Sequence, residues 1–254
     1  MICRLALLMM LVCSAAGAQE ADQPSGTSRV IVPVVGNVTG ANDVHWRTDV
    51  ELRNDSRNDV TVVLTMPAAP DANFVMLPMA AGAVIRMNDV ASALGVENGL
   101  SPLVVQTNSR RSVTVFAAAY GTRGDETYTP QPIPIAYGNT YFPVRVLRDL
   151  SFSSDYRTNI GLVNLGTATA DFVLALQRVP GRNVAVTRIT LPVNSLWHMS
   201  IQSAFPLITA GDHFSVVVES SSQDTYCYAS VIANSTNVAR FVQPALGVSQ
   251  GTPQ

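Results

Sequence analysis

A nine-residue phrase occurs twice in this chain. Trp46-Arg47-Thr48-Asp49-Val50-Glu51-Leu52-Arg53-Asn54 is answered 110 residues later by Tyr156-Arg157-Thr158-Asn159-Ile160-Gly161-Leu162-Val163-Asn164. Four positions are identical and three are conservative. The offset persists into the next apolar run, where Val63-Leu64 answers Val173-Leu174. The 254 residues are enough for two ordinary domains, so the repeat reads as one module written twice. Within the phrase Trp46, Thr48, Val50 and Leu52 alternate with Arg47, Asp49, Glu51 and Arg53. A period of two denotes a strand with one buried and one wet face.

The outer faces of the two copies differ. The first carries four charges, with Arg47 beside Asp49 and Glu51 beside Arg53; the second reads Arg157, Asn159, Gly161, Val163. Small and apolar side chains have replaced charge, which predicts that the second face is covered by the other module or by a partner.

Around the phrase the two copies run in parallel. Arg29–Val35 and Thr140–Val146 open them, each interrupted by a proline, Pro33 or Pro143. Proline cannot donate to a ladder and belongs at an edge or a bulge, so each module is expected to begin with an edge strand. Val60–Met66 and Ala170–Leu176 are expected to pair back on the repeated phrase as hairpins. Strands ending in Leu77-Pro78 and Leu191-Pro192 follow. Asn88–Gly95 reads as one or two helical turns capped by Asn88, and Ser200–Phe205 echoes it. Closing hairpins are expected from Leu103–Gln106 with Val113–Tyr120, and from Phe214–Val218 with Thr225–Ile232. Between the copies, Pro130, Pro132 and Pro134 stand at alternate positions, which favours an extended spacer.

The expected fold is therefore all-β: two tandem immunoglobulin-like antiparallel β-sandwich domains, each with one short helix. The boundaries are a signal peptide at 1–18, a flexible N-terminus at 19–28, module 1 at 29–121, a Pro-rich linker at 122–139, module 2 at 140–246 and a tail at 247–254. Arg4, the apolar run Leu5–Val12 and Ala16-Gly17-Ala18 make the export signal. The expected location is periplasmic or extracellular, with no membrane span. Removal of that signal takes Cys3 and Cys13, leaving Cys227 alone and no internal disulfide. The apolar fraction of 47% is ample for cores resting on packing alone. Sixteen basic residues, all Arg, against eighteen acidic ones give no general reason to expect nucleic acid as a partner.

The order aromatic-Arg-Thr-Asp/Asn, then Leu-x-Asn, a hairpin, Leu-Pro, a short helix and a closing strand such as Tyr228–Asn234 resembles a duplicated β-sandwich (immunoglobulin-like) module of uncharacterised secreted bacterial proteins. The likeness covers about residues 29–246. It implies the fold and export, and it carries no catalytic residues over to this chain.

Candidate chemistry is sparse. Gly247-Val248-Ser249-Gln250-Gly251 matches the G-x-S-x-G pattern, but a nucleophile elbow needs a following helix and a later His. His45, His198 and His213 make no metal-ligand spacing. Asp43, Asp49 and Asp55, or Glu219 and Asp224, match no calcium loop. Arg123-Gly124-Asp125 is a short adhesive-type tripeptide in the expected linker. Arg47 and Arg157 recur at the same place in both copies. A guanidinium there holds an anion or glycan, or it clamps the strand to a neighbouring carboxylate or loop carbonyl. Trp46, Tyr156 and Trp197 form either an aromatic platform or core.

The expectation is thus a non-enzymatic, secreted binding or structural module pair without cofactor or metal, contacting a protein or polysaccharide. Its partner contacts are Arg157, Asn159, Val163, Arg47 and Trp197. A chaperone-like factor that uses an exposed edge strand is the alternative, and a hydrolase with a site at the module junction is a further one. The sequence leaves the ligand and the oligomeric state open.

Overall fold

The computed structural model describes residues 28–109, 112–138, 143–180 and 182–247. The signal segment, most of the N-terminal stretch and all of the G-x-S-x-G run after Gly247 lie outside the described residues.

The described chain is all-β, built of antiparallel strands with two one-turn α-helices. Its first half contains β1 (Ser28–Thr39), β2 (His45–Asn54), β3 (Val60–Thr65), β4 (Val75–Met79) and β5 (Val84–Met87). These are followed by α1 (Val90–Ala93), β6 (Gly99–Thr107), β7 (Val113–Arg123), β8 (Glu126–Thr127), β9 (Gln131–Pro132) and β10 (Ala136–Tyr137). The second half contains β11 (Val144–Phe152), β12 (Tyr156–Asn164), β13 (Ala170–Val179), β14 (Arg182–Leu191) and β15 (Ser195–Ser200). It ends with α2 (Ile201–Ala204), β16 (Gly211–Ser220), β17 (Thr225–Ala233), β18 (Ala239–Val242) and β19 (Ala245–Leu246).

Second-half strands form two sheets, β14-β13-β16-β11-β19 and β15-β12-β17-β18. First-half pairing follows the same order, β4-β3-β6-β1 with β10 beside β1, and β5-β2-β7 with β9 beside β7. There the long β1 runs from β6 across to β2, which joins both layers into one ten-stranded sheet. Apolar residues from both layers of the second half, such as Phe172 and Phe214 on one side and Ile160 and Leu162 on the other, share a single core. The sandwich-like architecture follows from that shared core. Within each half, strands two and five pair, as do three and six, as in immunoglobulin constant domains. The first strand, however, pairs mainly with the sixth and the seventh with the second, whereas those domains set the first beside the second and the seventh beside the sixth.

Several sequence expectations are corrected. The repeated phrase and the strand after it are not hairpins: β2 pairs with β1, β5 and β7, while β3 pairs with β4 and β6. The expected closing hairpins also split between layers, β6 from β7 and β16 from β17. Alternation reveals which face of a strand is buried, but both layers of a sandwich bury one face alike. Strand β1 is not an edge, because Pro33 falls in a register shift between Val32 and Val35 and the ladder continues on both sides. Segment 122–139 is no free linker: β8 and β9 pair with β7, β10 pairs with β1, and Ile133 is buried in the first core. The cap of α1 is Asp89, whose side chain accepts from Ser92 N–H at 3.2 Å, rather than Asn88.

The last residue of the repeated phrase explains why the chain changes layer there. Asn54 is fully buried, and its Nδ2 donates to the carbonyls of Asn58, Met79 and Ala80 at 2.8, 3.2 and 2.9 Å. Its Oδ1 accepts from Ser56 N–H at 3.0 Å. Asn164 is equally buried and donates to the carbonyls of Ala168, Leu191 and Pro192 at 2.9, 3.0 and 2.9 Å, while Gly166 N–H donates to its Oδ1 at 3.0 Å. Each Asn thus clasps the start of the third strand to the end of the fourth. Asn54→Ala and Asn164→Ala each strand several buried backbone groups. Each should cost roughly 2–3 kcal/mol in urea unfolding, and a loss below about 0.5 kcal/mol would show that the clasp is dispensable.

The changed outer face of the second copy lies against the first half. Val163 is 0% exposed and packs with Ile31 and Val104 of the first half and with Leu165 and Tyr226. At Gly161 the ring of Tyr228 lies over the strand and reaches the first-half core. The first copy's face is solvated, and its charges find partners on other segments: Glu51 with Arg86 at 2.7 Å, Arg53 with Asp55 at 2.6 Å and Arg47 with Asp89 at 3.5 Å.

Candidate functional site

The sheet β15-β12-β17-β18 presents its outer face to the first half in cross-strand rows, set by the register. At one end Leu196, Val163 and Tyr226 seal the two halves together. In the next row His198 and Tyr228 flank Gly161. Beyond them the halves part. The row Ser200–Asn159–Ser230–Phe241 and the row Arg157–Ile232–Ala239 become the floor of a cleft of about 430 Å³. Its opposite wall comes from the first half, with Val34, Val38, Trp46, Arg47, Leu100 and Ile133. The cleft is of small-molecule size, mostly apolar, with a few convergent polar groups.

Two guanidinium groups, 110 residues apart in the chain, line this one cleft. Their surroundings differ. Arg47 has a carboxylate near it, with Asp89 Oδ2 at 3.5 Å from its Nε, although that buried N–H makes no hydrogen bond. Tyr120 stands beside the same charges; burial and then Asp49 push its phenol up. Arg157 donates from Nη1 to Asn234 Oδ1 at 2.8 Å and from Nη2 to Asn237 Oδ1 at 3.2 Å. Both acceptors are neutral, and among the described residues no carboxylate lies within ion-pair distance of Arg157. Desolvation pulls its pKa below the usual guanidinium value. The turn that supplies the two acceptors is itself braced: Asn234 Nδ2 donates to Ser154 O at 2.8 Å. Asn42 of the first half reaches Asn237 Oδ1 at 3.4 Å.

The other polar groups of the floor are uncharged. Among the described residues neither the Asn159 amide nor the Ser230 hydroxyl has a hydrogen-bond partner, whereas Ser200 Oγ accepts from Ser203 N–H to cap α2. His198 Nδ1 and Tyr228 Oη share a hydrogen bond of 2.7 Å. Burial pushes the His198 ring down to about 4, so it is neutral at pH 7, and burial holds the Tyr228 phenol protonated.

This arrangement carries a stability dependence on pH. The unfolded chain takes up a proton on His198 near its ordinary 6.5, and the folded chain only near 4. The contribution is therefore complete above 6.5 and is lost as pH falls through the window from 6.5 to 4, by ~3 kcal/mol at most. His198→Gln, whose side-chain carbonyl still accepts from Tyr228, should flatten that limb of a plot of Tm against pH. An unchanged limb would place the acid sensitivity elsewhere.

Of the residues read from the sequence as contacts, the cleft brings together Arg47, Arg157 and Asn159. Val163 is corrected: its face is occupied by the chain's own first half and is closed to any other partner. Trp197 is corrected too, because it packs against the second core while its neighbour His198 turns to the cleft. Trp46 stands in the cleft wall with its ring over Gly40. Sequence reasoning missed Ser230 and the role of His198; both belong to strands whose alternation looked like ordinary core. Arg123-Gly124-Asp125 forms the turn between β7 and β8, with Arg123 paired to Glu126 at 3.4 Å. The carboxylates considered as ion ligands do not converge: no group of three or more His, Cys, Asp or Glu able to hold a metal occurs among the described residues. Cys227 is buried, and desolvation pushes its thiol up to about 11.

No protein family, curated protein or solved structure matches this chain.

Proposed function

We propose that the protein is an exported, non-catalytic binding protein, made of a β-sandwich module in two tandem copies, and that it takes its ligand in the cleft where they meet. The observation that carries this reading is the convergence of Arg47 and Arg157 on one apolar cleft. The same sequence position in each copy supplies a cation there. The expected contact with a protein or polysaccharide narrows accordingly: about 430 Å³ admits a small molecule or one protruding group of a larger partner, not a flat domain face. Among the described residues the cleft lining contains no Asp or Glu, so they supply no carboxylate pair of the kind a junctional hydrolase would use.

Immobilised protein exposed to envelope extract and culture fluid tests the reading, with Asn159→Trp as the cleft-filling control. Ligand retained by the wild type and lost by the folded variant supports the cleft. Equal retention by both, or retention by neither, overturns it.

The edge strand β14 supports a second reading. It is ten residues long, pairs on one side only, and leaves Val184 and Val186 51% and 56% exposed. Such an edge accepts an added strand, as an assembly factor would require. Val186→Pro disrupts that edge, and unchanged client binding by the folded variant would exclude this use.

A further inference from the structure

We infer that the ligand of the cleft is an amphipathic monocarboxylate, with its carboxylate on Arg157 and its apolar body along the wall of Val34, Val38, Leu100 and Trp46. This rests on the reading of the cleft as the ligand site and adds the chemical class.

Charge is the first argument. Arg157 lines the cleft, is desolvated, and bonds only neutral acceptors. A half-buried guanidinium without an anion has given up water and received two amide oxygens in return. Its fork of five N–H donors keeps more to offer and matches a carboxylate in two parallel bonds. The two asparagines fix the fork before any ligand arrives, so little side-chain entropy is lost on binding.

The charge count is the second argument. Asp89 lies at 3.5 Å from Arg47 and already offsets that cation. Asp49 accepts from Asp89 N–H at 2.9 Å and holds a second carboxylate nearby. Both carboxylates stand on the Arg47 side, so Arg157 is the cation left without an ion pair among the described residues, which suits a monoanion. A phosphate monoester, with nearly two charges at pH 7, would face Arg157 with one of them uncompensated, because Arg47 already has Asp89 beside it.

Chemistry of the floor and wall is the third argument. Apart from Arg47 and Thr48 the wall is apolar, with Val34, Val38, Leu100, Ile133 and Trp46, which selects an apolar body. Asn159 and Ser230 stand beside Arg157 without hydrogen-bond partners among the described residues, and each can bond one oxygen or N–H of the ligand close to its carboxylate. A hydroxyl or an amide at that position fits them.

The test uses the whole exported chain and matched probes: decanoate and 3-phenylpropionate, each against its primary amide, by calorimetry or ligand-observed NMR. The acids should bind at least about tenfold more tightly than the amides, the effect of one charge-assisted pair. Arg157→Gln should abolish that preference while leaving amide binding within a factor of about two, and Arg47→Gln should reduce it less. N-acetyl-Gly-Gly-Leu, as acid and as amide, separates the two sources of such a group: tighter binding than decanoate identifies a peptide C-terminus, weaker binding a free acid. Acids and amides bound equally, in an Asn159-dependent way, would overturn the monocarboxylate and leave the cleft as a ligand site. No binding of any probe would overturn both. The acid-against-amide comparison on the unmodified protein stands even if Arg157→Gln fails to fold.

Discussion

Val163→Arg should destabilise the protein by about 4 kcal/mol, because it buries an unpaired guanidinium in an apolar seal. Arginine is the residue that the first copy carries at the matching place, Arg53, where it is exposed and bonds Asp55 at 2.6 Å. The same side chain at position 163 would enter the cluster of Ile31, Val104, Leu165 and Tyr226, where the carboxylate at the Tyr226 hydroxyl, Asp224, is already paired with Arg29 at 3.5 Å. The two tryptophans make the effect separable, since Trp46 lies in the first half and Trp197 in the second. Single-Trp versions of the variant should report two urea transitions where the parent shows one, as the halves lose their mutual cover. A loss under about 1 kcal/mol with coincident transitions would mean that the two halves are not sealed at this face.

Gly161→Ala should cost about 3–4 kcal/mol, a large penalty for one methyl group. A Cβ on residue 161 would sit 2.0 Å from Cε1 and 2.1 Å from Cζ of Tyr228. The ring has nowhere to retreat: it is fully buried, bonded to His198 at 2.7 Å, and packed on the first-half core. The clash should vanish when the ring is removed. On a Tyr228→Leu background Gly161→Ala should cost less than about 1 kcal/mol, a strongly non-additive cycle. Additive costs would place the strain in the backbone of β12 and not in the ring. Comparing the two variants by thermal unfolding also tests whether the outer face of β12 is one interface, because both residues stand on it in alternate rows.

These two positions mark how far the sequence was legible. The alternation of the repeated phrase placed Thr48, Val50, Leu52 and their counterparts inward, and each is buried except at the phrase ends. The loss of charge at positions 159, 161 and 163 pointed to a covered face, and the first half covers it at 161 and 163 while Asn159 lies in the cleft floor. The recurrence of Arg47 and Arg157 pointed to a shared role without showing that they share a place. Strand partners were misread as hairpins because alternation is the same in both layers. The proline-rich stretch looked like a spacer because its ladder contacts are short and lie with strands far away in sequence, Ala118↔Pro132 and Val30↔Tyr137.

Periodicity, the turn residues and the repeated phrase determined by themselves that the chain is all-β, which side chains face inward, and where the phrase recurs. Those are local properties, carried by the two-residue alternation of a strand and the backbone preferences of its turns. Only the tertiary structure decided which layer each strand joins, that Val163 and Gly161 serve the contact between halves, and that Arg47, Arg157 and Asn159 line one cleft. The physical reason is that side-chain alternation defines a face but not its neighbour. The neighbour is chosen by shape and burial between segments a hundred residues apart, and the cleft exists where that packing stops.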